Sequence, residues 1–543
     1  MSRAGARLAG RGGALSIAGA IGSGLLCSAA LPPWDQWLLA YGGLVPLLVA
    51  VRARTPGQAA WLGYLSGLCF YLATIWWVIG VMTTYGRMPL PLAVLALLLL
   101  CGVLAGYTAA FTWLLALGER WLRIPAGLRP LSSATLWAAI EFLRAHLFSG
   151  FPWMLFGYSQ FRQPTIRLLA AAAGVYGISA LLVLVNATLA ELIDCRRARG
   201  VERSCRWGNG LALGVMLLAL AATLGYAKGI WQDATAGAPV RVGLLQGNID
   251  QSLKWDRAHQ TATLEVYEGL ARQAAGERPA LVVWPETAVP FLLRREPALA
   301  GRLAGLVAET GVPMLIGSPD LAEDGLFYNA AFLVGTDRRI HGRYDKRHLV
   351  PFGEYVPLKA LFFFVDRLAV GIGDFGRGRA ASVLTADRAR FGVMICYEAI
   401  FPGEVREFVA GGAEFLVNIT NDAWFGRSGA PYQHLAMAAM RAVENGVFLV
   451  RAANTGVTAV VAPTGEILAE TPLFTRAAIT GSIRLRQGMT PYTRYGDVFA
   501  WTCLLFLLGY ALRLGVAWRR GRSATRMPGE IPSREPPPMS HER

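Results

Sequence analysis

The feature that most constrains this chain is a series of eight apolar stretches, seven of which crowd into the first 230 residues. They cover Ala14–Ala30, Trp37–Val51, Ala59–Met82, Leu90–Leu117, Leu131–Leu147, Leu168–Ile193, Gly210–Tyr226 and Val498–Val516. Several reach the roughly 20 residues that a helix needs to cross a bilayer core, whereas the second and fifth are shorter. The sequence therefore predicts a polytopic α-helical membrane domain with eight spans.

Composition and charge agree with a membrane protein. Hydrophobic residues make up 54% of the chain and charged residues 16%, against about 25% charged residues in ordinary soluble domains. The net charge of +16 does not indicate nucleic-acid binding, because the arginines cluster in alternate loops between the apolar stretches. The clusters are Arg3, Arg7 and Arg11; Arg52 and Arg54; Arg120, Arg123 and Arg129; Arg196, Arg197, Arg199, Arg203 and Arg206; and Arg519, Arg520, Arg522 and Arg526.

This alternation follows the positive-inside rule and predicts both termini in the cytoplasm. The large segment after the seventh stretch would then face outward, into the periplasm of a Gram-negative cell. The protein is expected in the inner membrane. Because Arg3, Arg7 and Arg11 precede the first stretch, that stretch could also be a secretory signal, although an uncleaved span fits the charge pattern.

From Val240 the pattern changes to short, β-rich apolar runs that alternate with amphipathic helical stretches. Candidate strands are Val240–Gln246, Ala280–Trp284, Pro313–Gly317, Ala330–Val334, Arg390–Ile395, Phe415–Ile419, Val447–Arg451, Thr458–Val461 and Ala477–Ser482. Candidate helices are Arg257–Ala274, Ala298–Thr310, Phe401–Gly411 and Tyr432–Asn445. Buried strands with helices between them indicate a layered α/β sandwich.

The predicted domains follow from these patterns. We expect a membrane domain with about seven helices over residues 1–230 and a periplasmic domain over 238–490. A last transmembrane helix over 497–517 and a disordered cytoplasmic tail over 520–543 complete the prediction.

Three residues in the predicted periplasmic domain can form a nucleophilic site. Cys396, the only cysteine between Arg206 and Ala500, follows an apolar strand. A thiol becomes a strong nucleophile as the thiolate, so it needs a base and a positive charge. Glu286, at the end of another strand, can take the proton, and Lys346 can stabilise the thiolate and an oxyanion. Each residue alone also fits a structural role, but their joint occurrence predicts catalysis.

The segments around these three residues resemble the signatures of the nitrilase superfamily. The signatures are Trp284-Pro-Glu286, Asp345-Lys346 and Cys396-Tyr-Glu398. Further segments are similar to its membrane-bound branch, the apolipoprotein N-acyltransferases. They are Gln246-Gly-Asn248, Gln251-Ser-Leu-Lys-Trp255, Leu349-Val-Pro-Phe-Gly-Glu-Tyr-Val-Pro357, Asn421-Asp-Ala-Trp-Phe-Gly426, Gly150-Phe-Pro-Trp153 and Gly157-Tyr-Ser-Gln160. The resemblance implies a nitrilase-like αββα sandwich.

The resemblance also implies roles and substrates. Glu286 would be the general base, Lys346 would stabilise the transition state and Cys396 would accept an acyl group. The sn-1 chain of a phospholipid, expected to be phosphatidylethanolamine, would pass through a thioester. It would end on the α-amino group of a diacylglyceryl-cysteine at the N-terminus of a lipoprotein. The reaction needs no cofactor, and we expect no metal site.

Several supporting residues complete the predicted site. The backbone N–H of Tyr397 is expected to be a second oxyanion donor, and the resemblance implies that Glu354 and Glu398 shape the site. It also implies that Trp255, Tyr397 and Trp424 line the path of the lipid, against the alternative of core packing.

A lid is expected next to the site. The apolar run that contains Phe362 and Phe363 predicts a lid over Leu361–Val370 that dips into the membrane, with a core element as the alternative. Phe362 and Phe363 would contact the acyl chain.

Some assignments stay open at this stage. Glu141, Arg144 and His146 fall in or near the fifth stretch, where ionisable groups face a partner or a cavity; they could pair with each other or meet a lipid headgroup. His348 and His434 are expected to make structural or polar contacts. A membrane-tethered amidase, an acyltransferase with another amine acceptor and a non-catalytic scaffold or transporter remain the alternative functions.

Overall fold

The computed structural model describes residues 3–197, 203–355, 375–486 and 488–524 of the chain. The predicted lid at Leu361–Val370, with Phe362 and Phe363, and most of the predicted disordered tail lie outside these described residues.

The first half of the chain is a bundle of apolar helices, which the last helix of the chain joins. The helices before the sheets are α1 Arg3–Ala29, α2 Val45–Val51, α3 Pro56–Ile75, α4 Val78–Gly80, α5 Leu90–Leu117, α6 Arg129–His146, α7 Ala170–Arg197 and α8 Arg203–Ala236. Glycines allow α3 and α5 to pack closely: a Cβ at Gly63 would lie 2.7 Å from the Thr108 carbonyl oxygen, and one at Gly67 would lie 3.0 Å from Ala105 Cα. Small residues commonly permit such close approach between membrane helices.

The number of clear membrane spans is lower than the sequence predicts. Among the described residues, three helices are long and apolar enough to cross a membrane: Leu90–Leu122, Ile166–Arg196 and Val498–Arg520. A fourth is possible if Pro56–Ile75 and Val78–Tyr85, which meet at a bend of 57°, form one broken span. Length and composition thus show three or four spans, and the eight spans that the sequence predicts stay a prediction.

Three of the other apolar stretches do not form helices that are long and apolar enough to span a membrane. Trp37–Val51 divides into a 3₁₀ turn over Trp37–Tyr41 and the seven-residue helix α2. The apolar part of α8, Gly210–Thr223, would span about 21 Å as a helix, against about 30 Å of hydrocarbon. Helix α6 carries Glu141 and Arg144, which reduce its hydropathy.

The second half of the chain contains two six-stranded mixed sheets. One sheet has the order β12-β1-β2-β3-β4-β5 and the other has the order β11-β10-β9-β8-β7-β6. The strands are β1 Pro239–Gln246, β2 Leu281–Val283, β3 Met314–Leu321, β4 Phe327–Val334, β5 Ile340–Asp345, β6 Val383–Ala386, β7 Ala389–Ile395, β8 Phe415–Thr420, β9 Phe448–Ala453, β10 Ala459–Val461, β11 Ile467–Glu470 and β12 Ala477–Arg484. The helices are α9 Arg257–Ala275, α10 Pro297–Thr310, α11 Pro402–Ala410, α12 Ala430–Asn445, α13 Pro491–Tyr495 and α14 Val498–Ala524.

The alternation of side chains along the strands builds four layers. Leu281 and Val283 point to a core between the two sheets, together with Phe391 and Val393 of the other sheet. Val282 points the opposite way, into a second core that α9 and α10 cover. Because successive side chains of a strand face opposite sides, each sheet is buried on both faces. The predicted αββα sandwich is confirmed.

Helix α12 connects the sandwich to the helical half. Arg441 is fully buried and donates hydrogen bonds to the Tyr158 hydroxyl at 2.9 Å and to Glu444 Oε1 at 3.0 Å. Glu444 in turn accepts the N–H of Val175 at the start of α7. A buried charge of this kind must have partners, so these contacts fix the sandwich against the bundle.

Candidate active site

Glu286, Lys346 and Cys396 all follow strands at the same end of the sandwich. Lys346 comes directly after β5 and Cys396 directly after β7, while Glu286 stands three residues beyond β2. Since β5 and β2 run in the same direction, the two residues meet at one sheet edge. Lys346 Nζ lies 3.6 Å from Glu286 Oε1, and Cys396 interacts electrostatically with both residues. The three predicted site residues are thus brought together.

The Glu286 carboxylate is buried and held by two asparagines. Its Oε1 accepts a hydrogen bond from Asn329 Nδ2 at 2.7 Å, and its Oε2 accepts the backbone N–H of Asn421 at 2.8 Å. These two donors fix the orientation of the carboxylate, as the predicted role of general base requires.

Lys346 is 1% exposed and lies between two carboxylates. Its ammonium donates a hydrogen bond of 2.9 Å to Glu354 Oε1. Burial alone would lower the pKa of Lys346, but Glu354 and Glu286 outweigh it and hold that pKa well above its ordinary value. Glu354 also accepts the Val350 N–H at 2.9 Å. Lys346 is therefore a permanent cation, and Glu354 holds it in place.

Cys396 occupies a strained turn between β7 and a 3₁₀ segment over Cys396–Ile400. Its φ of 52° lies in the left-handed region, which is unusual for a residue other than glycine and is often found at functional sites. Burial, followed by the charge of Glu286, raises the pKa of the thiol well above its ordinary value, and Lys346 opposes that rise. Burial and Glu286 thus favour the thiol form of Cys396 over the thiolate.

Glu398 holds the Cys396 turn against the Lys346 segment. Its Oε2 accepts the N–H of Ile395 at 2.6 Å, and its Oε1 accepts the Arg347 N–H at 2.6 Å and the Tyr344 hydroxyl at 2.8 Å. The predicted role of Glu398 in shaping the site agrees with this geometry. Burial raises the pKa of Glu398 to about 7, although these donors oppose the rise.

The predicted aromatic residues lie at different depths. Trp255 is 40% exposed and Trp424 is 39% exposed, whereas Tyr397 is 8% exposed. The ring of Trp424 lies 5.0 Å from that of Tyr85, in the helical half of the chain. The two tryptophans therefore reach the surface near the site, and Tyr397 packs beneath it.

The sequence analysis missed several buried polar residues around the site. Asn329 and Asn421 hold Glu286. Asn329 lies within β4 and was not singled out, and Asn421 was quoted as part of a family segment without a role of its own. Lys254 is 2% exposed and donates hydrogen bonds to Thr287 Oγ1 at 2.7 Å and to the Glu286 carbonyl at 3.2 Å. Burial lowers the pKa of Lys254 to about 8, and Glu286 and Cys396 oppose that change.

The two histidines make polar contacts, as expected. His348 Nδ1 lies 2.7 Å from Glu404 Oε1, and its ring stacks on Phe401. His434 Nε2 lies 3.0 Å from the carbonyl oxygen of Cys396. Among the described residues, no group of three or more His, Cys, Asp or Glu side chains could hold a metal ion.

The ionisable residues of α6 hold the chain that follows it. Glu141 Oε1 accepts the N–H of Phe156 at 2.8 Å, and Arg144 Nη1 donates to the Trp153 carbonyl at 3.0 Å. His146 Nδ1 lies 2.9 Å from the carbonyl of Phe142. The first two residues thus position the segment that packs under the sandwich.

The Glu398 carboxyl provides a pH-dependent test of this geometry. Its pKa is about 7 in the folded protein, above the ordinary value of 4.5, so the folded state binds this proton more tightly than the unfolded chain does. The resulting stabilisation is complete below about pH 4.5 and is lost as the pH rises through about 7. We expect the Tm of the wild type minus the Tm of Glu398→Gln to decrease as the pH rises from about 5 to about 8. Glu323→Gln, on an exposed turn, is the control, and a Tm difference independent of pH would contradict the expectation.

Two family models match successive parts of the chain. Residues 23–188 match the family model of the apolipoprotein N-acyltransferase N-terminal domain, and residues 241–488 match that of carbon-nitrogen hydrolases. An apolipoprotein N-acyltransferase of Geobacter metallireducens is 42% identical over 506 residues, which cover 92% of this chain and 95% of the relative. One from Pseudomonas putida is 37% identical over 516 residues, covering 91% and 96%.

Among solved structures, the amidase from Nesterenkonia sp. AN1 aligns with 47% of this chain and 96% of its own length, at 20% identity and a TM-score of 0.36. The sequence relatives match over nine-tenths of both chains and include both the helical half and the sandwich. This chain belongs to the apolipoprotein N-acyltransferase family.

Proposed function

We propose that this enzyme transfers a fatty acyl chain from a phospholipid to the α-amino group of a lipoprotein's N-terminal diacylglyceryl-cysteine, through a thioester on Cys396. The observation that carries this proposal is the buried cluster at the strand ends, where the Glu286 carboxylate and the Lys346 ammonium lie 3.6 Å apart and Cys396 occupies the strained turn after β7. The membership of the chain in the acyltransferase family selects acyl transfer among the reactions that such a site supports.

In the first step, Cys396 Sγ attacks the carbonyl carbon of the sn-1 ester while Glu286 takes the thiol proton. The tetrahedral intermediate collapses, the bond to the glycerol oxygen breaks, and Glu286 returns the proton to that oxygen. A lysophospholipid leaves and the acyl group stays on sulfur. A base is needed in this step because burial favours the thiol form of Cys396, whereas the thiolate is the nucleophile.

In the second step, the free amine of the diacylated lipoprotein attacks the thioester. Glu286 takes a proton from the amine as the C–N bond forms, the C–S bond breaks, and the proton passes to the Cys396 sulfur. An amide is produced and the enzyme is restored. A site that excludes water protects the thioester from hydrolysis between the two steps.

Both tetrahedral intermediates carry a negative oxygen. We assign its stabilisation to the Lys346 ammonium and to the backbone N–H of Tyr397, which follows the nucleophile directly. Such donors act strongly in a buried site because they need no reorganisation, and the loss of one typically costs about 10²–10³ in rate.

The donor is expected to be phosphatidylethanolamine, and two exposed tryptophans support the path of its acyl chain. Trp255 follows Lys254, which contacts the Glu286 carbonyl, and Trp424 stands three residues after Asn421, which holds the Glu286 carboxylate. Both tryptophans thus follow residues that contact Glu286, and both reach the surface. Phe362 and Phe363 are proposed as acyl contacts on sequence alone.

We further propose eight spans, with the sandwich in the periplasm and both termini in the cytoplasm. The ends of the bundle support this topology. Arg52 forms ion pairs with Glu119 and Glu191, and Arg129 forms another with Glu191, so three predicted cytoplasmic loops meet at one end. The sandwich contacts Pro32, Thr74, Trp77 and Trp153 at the other end.

Reporter fusions test this topology. Alkaline phosphatase fused after residue 486 should be active, because that position would be periplasmic. A green fluorescent protein fused after residue 520 should fluoresce, because that position would be cytoplasmic. The reverse pattern would contradict the proposed topology.

The assigned roles of Glu286 and Lys346 are tested by the rate at which Cys396 is acylated. In purified protein incubated with phosphatidylethanolamine, we expect Glu286→Gln and Lys346→Met each to slow the gain of one acyl mass by at least about 10²-fold. Intact-protein mass spectrometry measures the adduct, and Cys396→Ala should gain none. Glu323→Gln is the matched control and should stay within about twofold of the wild type. A wild-type rate in Glu286→Gln would refute its role as the base.

A further inference from the structure

Two adjacent residues of α12, Gln433 and His434, connect the helical half of the chain to the nucleophile. Gln433 is 1% exposed, and the oxygen and the nitrogen of its side-chain amide each have two hydrogen-bond partners. Its Oε1 accepts from Trp77 Nε1 at 3.2 Å and from Trp153 Nε1 at 2.8 Å, and its Nε2 donates to the carbonyls of Pro32 at 3.0 Å and Thr74 at 2.9 Å. All four partners belong to the helical half, so this one side chain is a fixed point of the interface.

His434 is fully buried and contacts the turn that contains Cys396. Its Nε2 lies 3.0 Å from the Cys396 carbonyl oxygen, which can only accept, so Nε2 carries the proton. Its Nδ1 lies 3.0 Å from Asp422 Oδ1 and 3.1 Å from Arg451 Nη2. Asp422 Oδ2 also accepts a hydrogen bond from Arg451 Nη2 at 2.6 Å, and Asp422 Oδ1 accepts one from the Thr420 hydroxyl at 2.9 Å. The imidazole is thus held from both sides.

The hydrogen bond from His434 fixes the orientation of the whole peptide unit between Cys396 and Tyr397. The C=O of Cys396 and the N–H of Tyr397 belong to the same planar trans peptide unit and point in opposite directions. Because His434 holds the carbonyl from the α12 side, the N–H is directed to the other side of the peptide. The peptide unit needs such support because it follows a strained residue: Cys396 has a left-handed φ of 52°.

We propose that His434 is the positioning residue that preorganises the Tyr397 N–H as an oxyanion donor, and that Gln433 makes this arrangement depend on docking to the helical half. The proposal rests on the proposed function, in which that N–H stabilises the tetrahedral intermediates. A shift of α12 at the interface would move His434 and turn the peptide unit. The site is therefore fully assembled only where the sandwich is seated on the membrane-embedded bundle.

The test compares two reactions of the same sulfur in the full-length protein. Acylation by phosphatidylethanolamine passes through an oxyanion, whereas alkylation by iodoacetamide does not. For His434→Leu we expect acylation of Cys396 to fall by about 10²-fold, as for the loss of an oxyanion donor, with alkylation within about threefold of the wild type. His434→Gln, whose Nε2 can reach the same carbonyl, should recover at least a tenth of the wild-type acylation rate.

Gln433→Leu should show the same selective loss of acylation, since it removes all four interface contacts. His259→Leu, at a half-buried position of α9, and Gln273→Leu, at an exposed one, are the matched controls and should leave both reactions unchanged. An equal loss of acylation and alkylation in His434→Leu, or acylation at the wild-type rate in it, would overturn the proposal. If wild-type Cys396 formed no acyl adduct at all, the proposed function would fail instead.

Discussion

The buried ammonium of Lys346 is the interaction on which the active site depends. It lies 2.9 Å from Glu354 and 3.6 Å from Glu286, and removal of one partner from a buried ion pair typically costs about 3–5 kcal/mol because the other charge is left uncompensated. Lys346 thus permits two carboxylates to lie beside a thiol in the interior of the sandwich. In the proposed mechanism the same cation stabilises the negative charge that develops when Cys396 attacks, so the group that stabilises the site would also serve its chemistry.

The second constraint is the strained backbone at Cys396. A non-glycine residue in the left-handed region costs on the order of 1–3 kcal/mol, and a typical hydrogen bond contributes about 0.5–1.5 kcal/mol. Glu398 binds the N–H of Ile395 before the turn, and His434 binds the carbonyl of Cys396 within it. Together these two contacts contribute enough free energy to offset the strain of the turn. They connect the turn to the Lys346 segment on one side and to helix α12, at the interface with the helical half, on the other.

The sequence was informative where a pattern repeated or a residue stood out. All nine predicted strands and all four predicted helices of the sandwich occur, because buried strands and amphipathic helices leave periodic traces. The three strands that were missed, β5, β6 and β11, include exposed or half-exposed positions, and all three lie at sheet edges, where burial does not impose an apolar pattern.

The site shows the same division. Glu286, Lys346 and Cys396 could be found from their strand-end positions, whereas Asn329, Asn421 and Lys254 act through contacts between segments distant in sequence. His434 was recognised as a polar contact, but its partner, a backbone carbonyl 38 positions away, leaves no trace in the sequence. The apolar stretches predicted a helical membrane half and overestimated its clear spans, since a stretch such as Trp37–Val51 is broken by a turn.

The central claim is that the acyl group resides on Cys396 between its two carriers. Its most direct test is the chemical competence of that intermediate: acyl-enzyme formed from labelled phosphatidylethanolamine is freed of phospholipid and then mixed with a diacylated lipopeptide. We predict that the label moves to the lipopeptide amine in a single turnover, at least as fast as steady-state turnover, with the loss of one acyl mass from Cys396. An acyl-enzyme that keeps its label, or transfers it far more slowly than the enzyme turns over, would contradict the account.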